Sequence, residues 1–182
     1  IMEQLKLHLG CGPNVKEGYV NIDGYVTGEG VVNMDILNLG YPDNSADEIL
    51  AEHLFEHLPF KDEEQLFKEC YRVLKPGGVL IVETPDMEWL CTAFLQANDE
   101  FTSFYQAGAI DHYFGHGKSY EHRWGMITTH FFGNQNGEGQ FHKNGYTKQK
   151  FIDIAHLVGF SSCEVLKLVN KGAGAIRARI IK

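Results

Sequence analysis

Three stretches early in the chain carry residues whose types and spacing could hold a nucleoside. Leu7-His8-Leu9-Gly10-Cys11-Gly12 is an apolar run ending in a Gly-x-Gly turn. Glycine accepts positive φ and lets a ligand approach the main chain where a Cβ would collide. The same turn also occurs with no ligand attached. Asp23 and Asp35 close the next two β-like runs, Tyr19-Val20-Asn21-Ile22-Asp23 and Val31-Val32-Asn33-Met34-Asp35-Ile36. An ionised carboxyl offers only acceptors, so Asp23 suits two ribose hydroxyls, and Asp35 suits an adenine amino group with Ile36 packed on the base. The plainer readings are a strand-terminal turn residue for Asp23 and a loop cap for Asp35. Two acids at successive strand ends, after a glycine turn, favour a nucleoside lying across the end of a sheet.

Histidines form the second group. His53 and His57 lie just beyond the run Ala46 to Ala51, with Glu56 able to orient one of them. An imidazole there can take the proton of an acceptor hydroxyl, or His57 can simply pack beneath the following helix. Farther on stand Asp111, His112, His116, His122, Arg123, Trp124, His130 and His142. His112 is the third catalytic candidate. Asp111-His112 followed by His116 has a helical spacing that could converge on a metal, but no Cys joins them, and scattered loop histidines more often serve as hydrogen-bonding residues; no metal site is assigned. His142-Lys143 ahead of Tyr146 either meets an anionic acceptor or lies in solvent. Cys11 has no neighbouring cation to activate it and is expected to fill the turn, not to act as a nucleophile.

The elements that must position these residues alternate. Up to Pro85 short β-like runs are interleaved with turn or helix signals, the pattern of a parallel sheet covered by helices. Leu5 to Leu9, Tyr19 to Asp23, Val31 to Ile36, Ala46 to Ala51 and Val79 to Glu83 read as strands. Leu66, Phe67, Cys70, Val73 and Leu74 recur at helical spacing before Pro76-Gly77-Gly78, which is expected to stop the helix. A second helix follows Asp86 as N-cap, and a third runs from Thr147 to Gly159. Cys163 to Leu168 and Ala175 to Ile181, joined through Lys171 to Gly174, read as a β-hairpin. Residues 101–146 fit none of these periods and form the candidate cover of an acceptor site, with Gly133 to Gly145 expected to be a mobile loop.

The 182 residues, 43% hydrophobic, suffice for one core and suggest a single domain over 1–182. A formal charge of −8 argues against extended nucleic-acid binding. No apolar run reaches bilayer length and no signal-peptide pattern opens the chain, so a cytoplasmic protein is expected. The four cysteines, widely spaced, suggest reduced thiols.

Together the stretches Leu7 to Gly12, Gly18-Tyr19-Val20-Asn21-Ile22-Asp23, Met34-Asp35-Ile36, Glu52-His53-Leu54-Phe55-Glu56-His57 and Arg72-Val73-Leu74-Lys75-Pro76-Gly77-Gly78 resemble a compact family of class I S-adenosylmethionine (SAM)-dependent methyltransferases, which reads roughly LxLGCG, GYxNxD, a third-strand Asp, ExxEH and LKPGG. The resemblance implies a Rossmann-like, seven-stranded, mostly parallel sheet with a C-terminal antiparallel hairpin. It implies contacts of Gly10, Cys11 and Gly12 with the methionine end of SAM, of Asp23 with the ribose, and of Asp35 and Ile36 with adenine. Glu52 and His53 would close the site. The helix usual between the glycine turn and Asp23 is compressed into Pro13 to Gly18, which leaves the cofactor partly open and raises the expectation of a homodimer. The Gly10-x-Gly12 turn lacks the third glycine and the helix N-terminus that a pyrophosphate needs, so NAD is the poorer ligand. The expected activity is methyl transfer to a small-molecule or glycan-type acceptor; a non-catalytic SAM-binding partner or sensor and an aminopropyltransferase are the alternatives on the same fold.

Overall fold

A computed structural model describes residues 4–96, 129–170 and 173–182. Its strands are β1 (Lys6–Leu9), β2 (Val20–Asp23), β3 (Val31–Asn33), β4 (Ala46–Glu52), β5 (Leu74–Pro85), β6 (Ser162–Asn170) and β7 (Ala173–Ile181), with helices α1 (Glu63–Val73), α2 (Met87–Gln96) and α3 (Lys148–Val158). One sheet holds all seven strands in the order β3-β2-β1-β4-β5-β7-β6. The first five pair in parallel, and β7 runs antiparallel to both β5 and β6. The α/β class, the mostly parallel sheet and the terminal hairpin agree with the sequence expectations.

The centre of the sheet is covered on both faces, as parallel strands require. On β1, Leu7 and Leu9 are fully buried and His8, pointing the other way, is buried too, with its Nδ1 3.0 Å from Asn21 Oδ1. The chain lays β2 and β3 on one side of β1 and then returns to place β4 on the other. That reversal opens a crevice beyond the carboxyl ends of β1 and β4, the usual ligand position in an open α/β sheet.

Two boundaries differ from those expected, each for a local reason. Helix α1 stops at Val73, and Leu74 is already extended at φ −64°, ψ 140°, so Lys75-Pro76-Gly77-Gly78 belongs to β5 and does not follow the helix as its stop. Pro76 disfavours helical backbone at Lys75, so α1 cannot readily resume past Leu74, and the turn at Gly77, φ +78°, falls where the β4–β5 register shifts. Strand β3 ends at Asn33 instead of reaching Ile36. Met34 N donates to Asp23 O, and Asp35 Oδ1 accepts from Leu37 N at 2.9 Å, a side-chain turn that lifts Asp35 and Ile36 out of the sheet.

Helix α3 has both expected ends. Thr147 Oγ1 accepts from Lys150 N at 3.1 Å, and Gly159 takes a left-handed φ of 104°. An aromatic cluster joins this helix to α1 and to the turn after β4: Phe55 packs edge-on against Phe67 at 5.1 Å and against Tyr146 at 6.0 Å, while Tyr146 stacks on Phe151 at 4.6 Å. All four rings are buried. Phe55 thereby anchors the 3-10 turn Phe55–His57 that carries the candidate histidines. Within the irregular segment, Gly133 bridges Phe141 in antiparallel fashion, and a Cβ on Gly133 would lie 2.0 Å from Gln140 O. Gly133 to Gly145, expected as a mobile loop, thus has its own closing pairing. No described helix is long and apolar enough to cross a membrane.

Candidate active site

A cavity of about 590 Å³ lies beyond the carboxyl ends of the strands. Gly10, Gly12, Asp23, Asp35 and Ile36 line one part of it, and His53, Leu54, His57, Asp62 and Lys143 line another. The volume falls within the usual range of small-molecule sites. Gly10 and Gly12 have φ of +63° and +53°. A Cβ on Gly10 would come 2.5 Å from Leu54 Cδ1, whereas one on Gly12 would meet nothing within 4 Å. Gly10 thus lets the β1 and β4 ends approach, and Gly12 keeps its main chain open to the cavity.

Asp23 organises this end. Its Oδ2 accepts from Gly12 N, and its Oδ1 accepts from both Tyr25 N and Val26 N, each at 2.8 Å. The carboxylate, only 8% exposed, therefore ties the glycine turn to the loop after β2 as well as lining the cavity. Asp35 likewise caps its own turn while lining the cavity. In both acids a turn-capping role coexists with a place on the cavity wall. Cys11 is buried and absent from the lining; burial first, then the nearby Asp23, pushes its thiol pKa up, the direction opposite to activation. Glu52 is also absent from the lining and pairs with Lys16 at 2.9 Å.

The histidines divide in environment. His53 is a non-glycine residue at φ +51°, its side chain half exposed. Its Nδ1 lies 3.1 Å from Glu56 Oε1; a carboxylate can only accept, so Nδ1 carries a proton, and Nε2 lies 3.7 Å from Glu83 Oε1. The Glu56 hydrogen bond raises the His53 pKa against the opposing effect of burial. His57 is lowered, chiefly by burial, and its Nδ1 donates to Phe141 O at 3.2 Å. Lys143 N and Asn144 N both donate to Glu56 O, at 2.7 and 3.1 Å, which brings the end of the irregular segment against the histidine turn. The candidates Asp111, His112 and His116 lie outside the described residues.

The profile of the methyltransferase-domain family matches residues 19–82, from β2 into β5. A sterol 24-C-methyltransferase of Aspergillus fumigatus is 44% identical over 61 residues, 34% of this chain and 15% of that protein. Across the curated relatives matched, the chain spans between 15% and 25% of their length. Among solved structures, a SAM-dependent methyltransferase from Archaeoglobus fulgidus superposes with a TM-score of 0.59 at 15% identity, covering 100% of this chain and 87% of that one. Residues 19–82 thus match the methyltransferase-domain family, and the whole described chain has the fold of SAM-dependent methyltransferases. A phosphoethanolamine N-methyltransferase from Haemonchus contortus, solved with phosphomonomethylethanolamine and S-adenosylhomocysteine, gives a TM-score of 0.58 at 14% identity over 98% of this chain and 49% of that one. At such identities the likeness is one of fold.

Several residues in or beside the cavity carried no signal in the sequence. Tyr25, 67% exposed, lines the wall two residues beyond Asp23, and Gly139, whose added Cβ would sit 2.9 Å from the Tyr25 ring, faces it from the irregular segment. Glu83 at the end of β5 is buried beside His53 and held by Arg177 of β7 at 2.6 Å. An aromatic residue in a loop and an acid on a strand have no distinguishing spacing, so only the fold brings them to the site. Lys143, singled out beside His142, does line the cavity.

Proposed function

We propose that this domain binds SAM across the carboxyl ends of β1, β2 and β3 and transfers its methyl group to a small-molecule or glycan-type acceptor entering beside His53 and Lys143. The observation that carries the reading is the continuity of one cavity from Gly10, Gly12, Asp23, Asp35 and Ile36 to His53, His57 and Lys143. Those residues fit the cofactor: an open main chain at Gly12 admits the amino-acid end, and the two acids supply acceptors for a nucleoside. SAM supplies an electrophilic methyl group on a sulfonium when bound. The chain's task is then to align the acceptor oxygen or nitrogen with that carbon.

His53 is the proton acceptor in this reading. Glu56 holds its Nδ1–H, which orients the ring and makes Nε2 more basic, the orienting logic of a histidine–acid pair. Lys143 favours an acceptor with an anionic group and disfavours a polyamine, which weighs against aminopropyl transfer. Calorimetric titration with S-adenosylhomocysteine, with NAD as control, tests the cofactor assignment. Saturable binding of the first alone, weakened in Asp35→Ala, is the expected result; Asp23 is less suited because its loss also frees three main-chain N–H groups. Absence of binding at millimolar ligand defeats the reading. Turnover of labelled SAM with retained cofactor binding but loss of transfer in His53→Gln then distinguishes an enzyme from a SAM-binding module.

A further inference from the structure

Glu56 presents an unsatisfied polar atom. Its residue is 2% exposed, Oε1 is taken by His53, and Oε2, buried, has no hydrogen-bond partner among the described residues. A buried carboxylate oxygen left unpaired is costly. Beside it stand His57 and His142, their rings edge-to-face with centroids 4.7 Å apart. One ligand-capable atom from each of Glu56, His57 and His142 lies within 4.8 Å of the other two.

The tautomers of both rings are settled by their other nitrogens. His57 Nδ1 faces Phe141 O at 3.2 Å and His142 Nδ1 faces His130 O at 2.8 Å. Carbonyl oxygens only accept, so each Nδ1 carries the hydrogen and each Nε2 keeps a lone pair. Metal-ligating histidines characteristically bond their outer nitrogen to a carbonyl or carboxylate in this manner, and the ligating carboxylate is itself hydrogen-bonded, here by His53. Two neutral rings in edge contact would leave Glu56 Oε2 unexplained; a cation among the three satisfies it and both lone pairs.

We propose that Glu56, His57 and His142 bind a divalent first-row metal ion, with Zn²⁺ the chemistry's first choice. Two imidazoles and one carboxylate are a borderline donor set suited to Zn²⁺ and Co²⁺, whereas Mg²⁺ and Ca²⁺ want oxygen throughout. At Zn–ligand distances of about 2.0–2.1 Å, tetrahedral ligands stand roughly 3.4 Å apart. The three side chains need therefore draw together by no more than about 1.4 Å from the spacing seen. His57 lines the cavity, so the ion stands at the acceptor end, with a position for water or an acceptor oxygen, and it pins the loop bearing His142 to the turn after β4.

The site is independent of methyl transfer, and its test needs no turnover. Untagged protein stripped with a chelator is titrated with Zn²⁺ by equilibrium dialysis, and with Co²⁺ followed by its visible absorption. About one equivalent is expected to bind, with the intense bands of a tetrahedral or five-coordinate ion. His142→Ala and His57→Ala should each weaken Zn²⁺ binding by at least about 100-fold, while His156→Ala, an exposed histidine on α3, should change nothing. In the wild type, long-range ¹⁵N–¹H spectra should show Zn²⁺ shifting Nε2 of His57 and His142, a readout that stands even if a variant fails to fold. No stoichiometric binding, equal loss in His156→Ala, or coordination assigned to other histidines would each overturn the proposal.

Discussion

At the residue scale, the glycine turn and Asp23 form one device in which backbone conformation and cavity shape are inseparable. Both Gly10 and Gly12 are left-handed, a conformation that costs an L-residue roughly 1–2 kcal/mol. Gly12→Ala should lose about that much stability and little more, because its Cβ meets open space. Gly10→Ala must in addition displace Leu54, so urea unfolding should rank it as the more damaging of the two. Asp23→Asn is nearly isosteric, yet an amide can oppose only Oδ1-type acceptors to the loop, and its NH₂ would confront either the Gly12 N–H or those of Tyr25 and Val26. A loss of about 1–3 kcal/mol is expected from leaving a buried donor unsatisfied, together with weaker S-adenosylhomocysteine binding in calorimetry.

At the element scale, what holds the histidine turn is the aromatic seam between α1, α3 and Phe55. Tyr146 belongs to it, and Tyr146 also receives Asn144 Nδ2 at 3.3 Å, just beyond the loop that contacts Glu56. Phe55→Ala should therefore cost about 3–5 kcal/mol in chemical unfolding and should also disturb His53 and His57, visible as displaced imidazole resonances in whatever fraction stays folded. Thr147→Ala removes only the cap of α3 and should cost about 1 kcal/mol, with those resonances unchanged. The contrast separates an element's own stability from its role in placing the site.

For the whole molecule, acid sensitivity should follow the carboxylates that join distant segments. Glu69 is buried on α1; its Oε1 accepts from Leu39 N and from Arg72, which also reaches Leu39 O, Tyr41 O and Asp43 in the loop before β4. The Arg72 hydrogen bonds hold the Glu69 carboxyl below its ordinary value of 4.5. With the folded pKa below the unfolded one, its contribution is complete above about pH 4.5 and is lost as pH falls through the folded value. Asp47, hydrogen-bonded by Lys75, is lowered in the same sense. Thermal melts should accordingly show Tm falling on acidification below pH 4.5, and Glu69→Gln should flatten that dependence. Arg72→Ala should cost about 2 kcal/mol at neutral pH, because Glu69 stays buried with a single main-chain donor.

Much of this was legible in the chain itself, for reasons of local physics. Alternation of apolar runs with turns specifies a parallel sheet, Thr147 and Gly159 mark a helix by the groups its ends leave unpaired, and the glycine turn with the two acids after it picks out residues that line one cavity. The sequence also marks where such signals mislead at short range: Pro76 disfavours helix at Lys75, and the chain has left α1 one residue earlier still, at Leu74, which the apolar spacing had included. Tertiary structure alone decided which residues share the cavity. It turned Glu52 toward Lys16, buried Cys11, and brought Tyr25, Lys143 and the Glu83–Arg177 pair to the same end of the sheet. It also set His57 against His142, which are far apart along the chain, around one Glu56 oxygen that has no hydrogen-bond partner among the described residues. Contacts across that separation depend on how the strands order themselves and on which loops fold back over them, and no periodicity within a single segment encodes either.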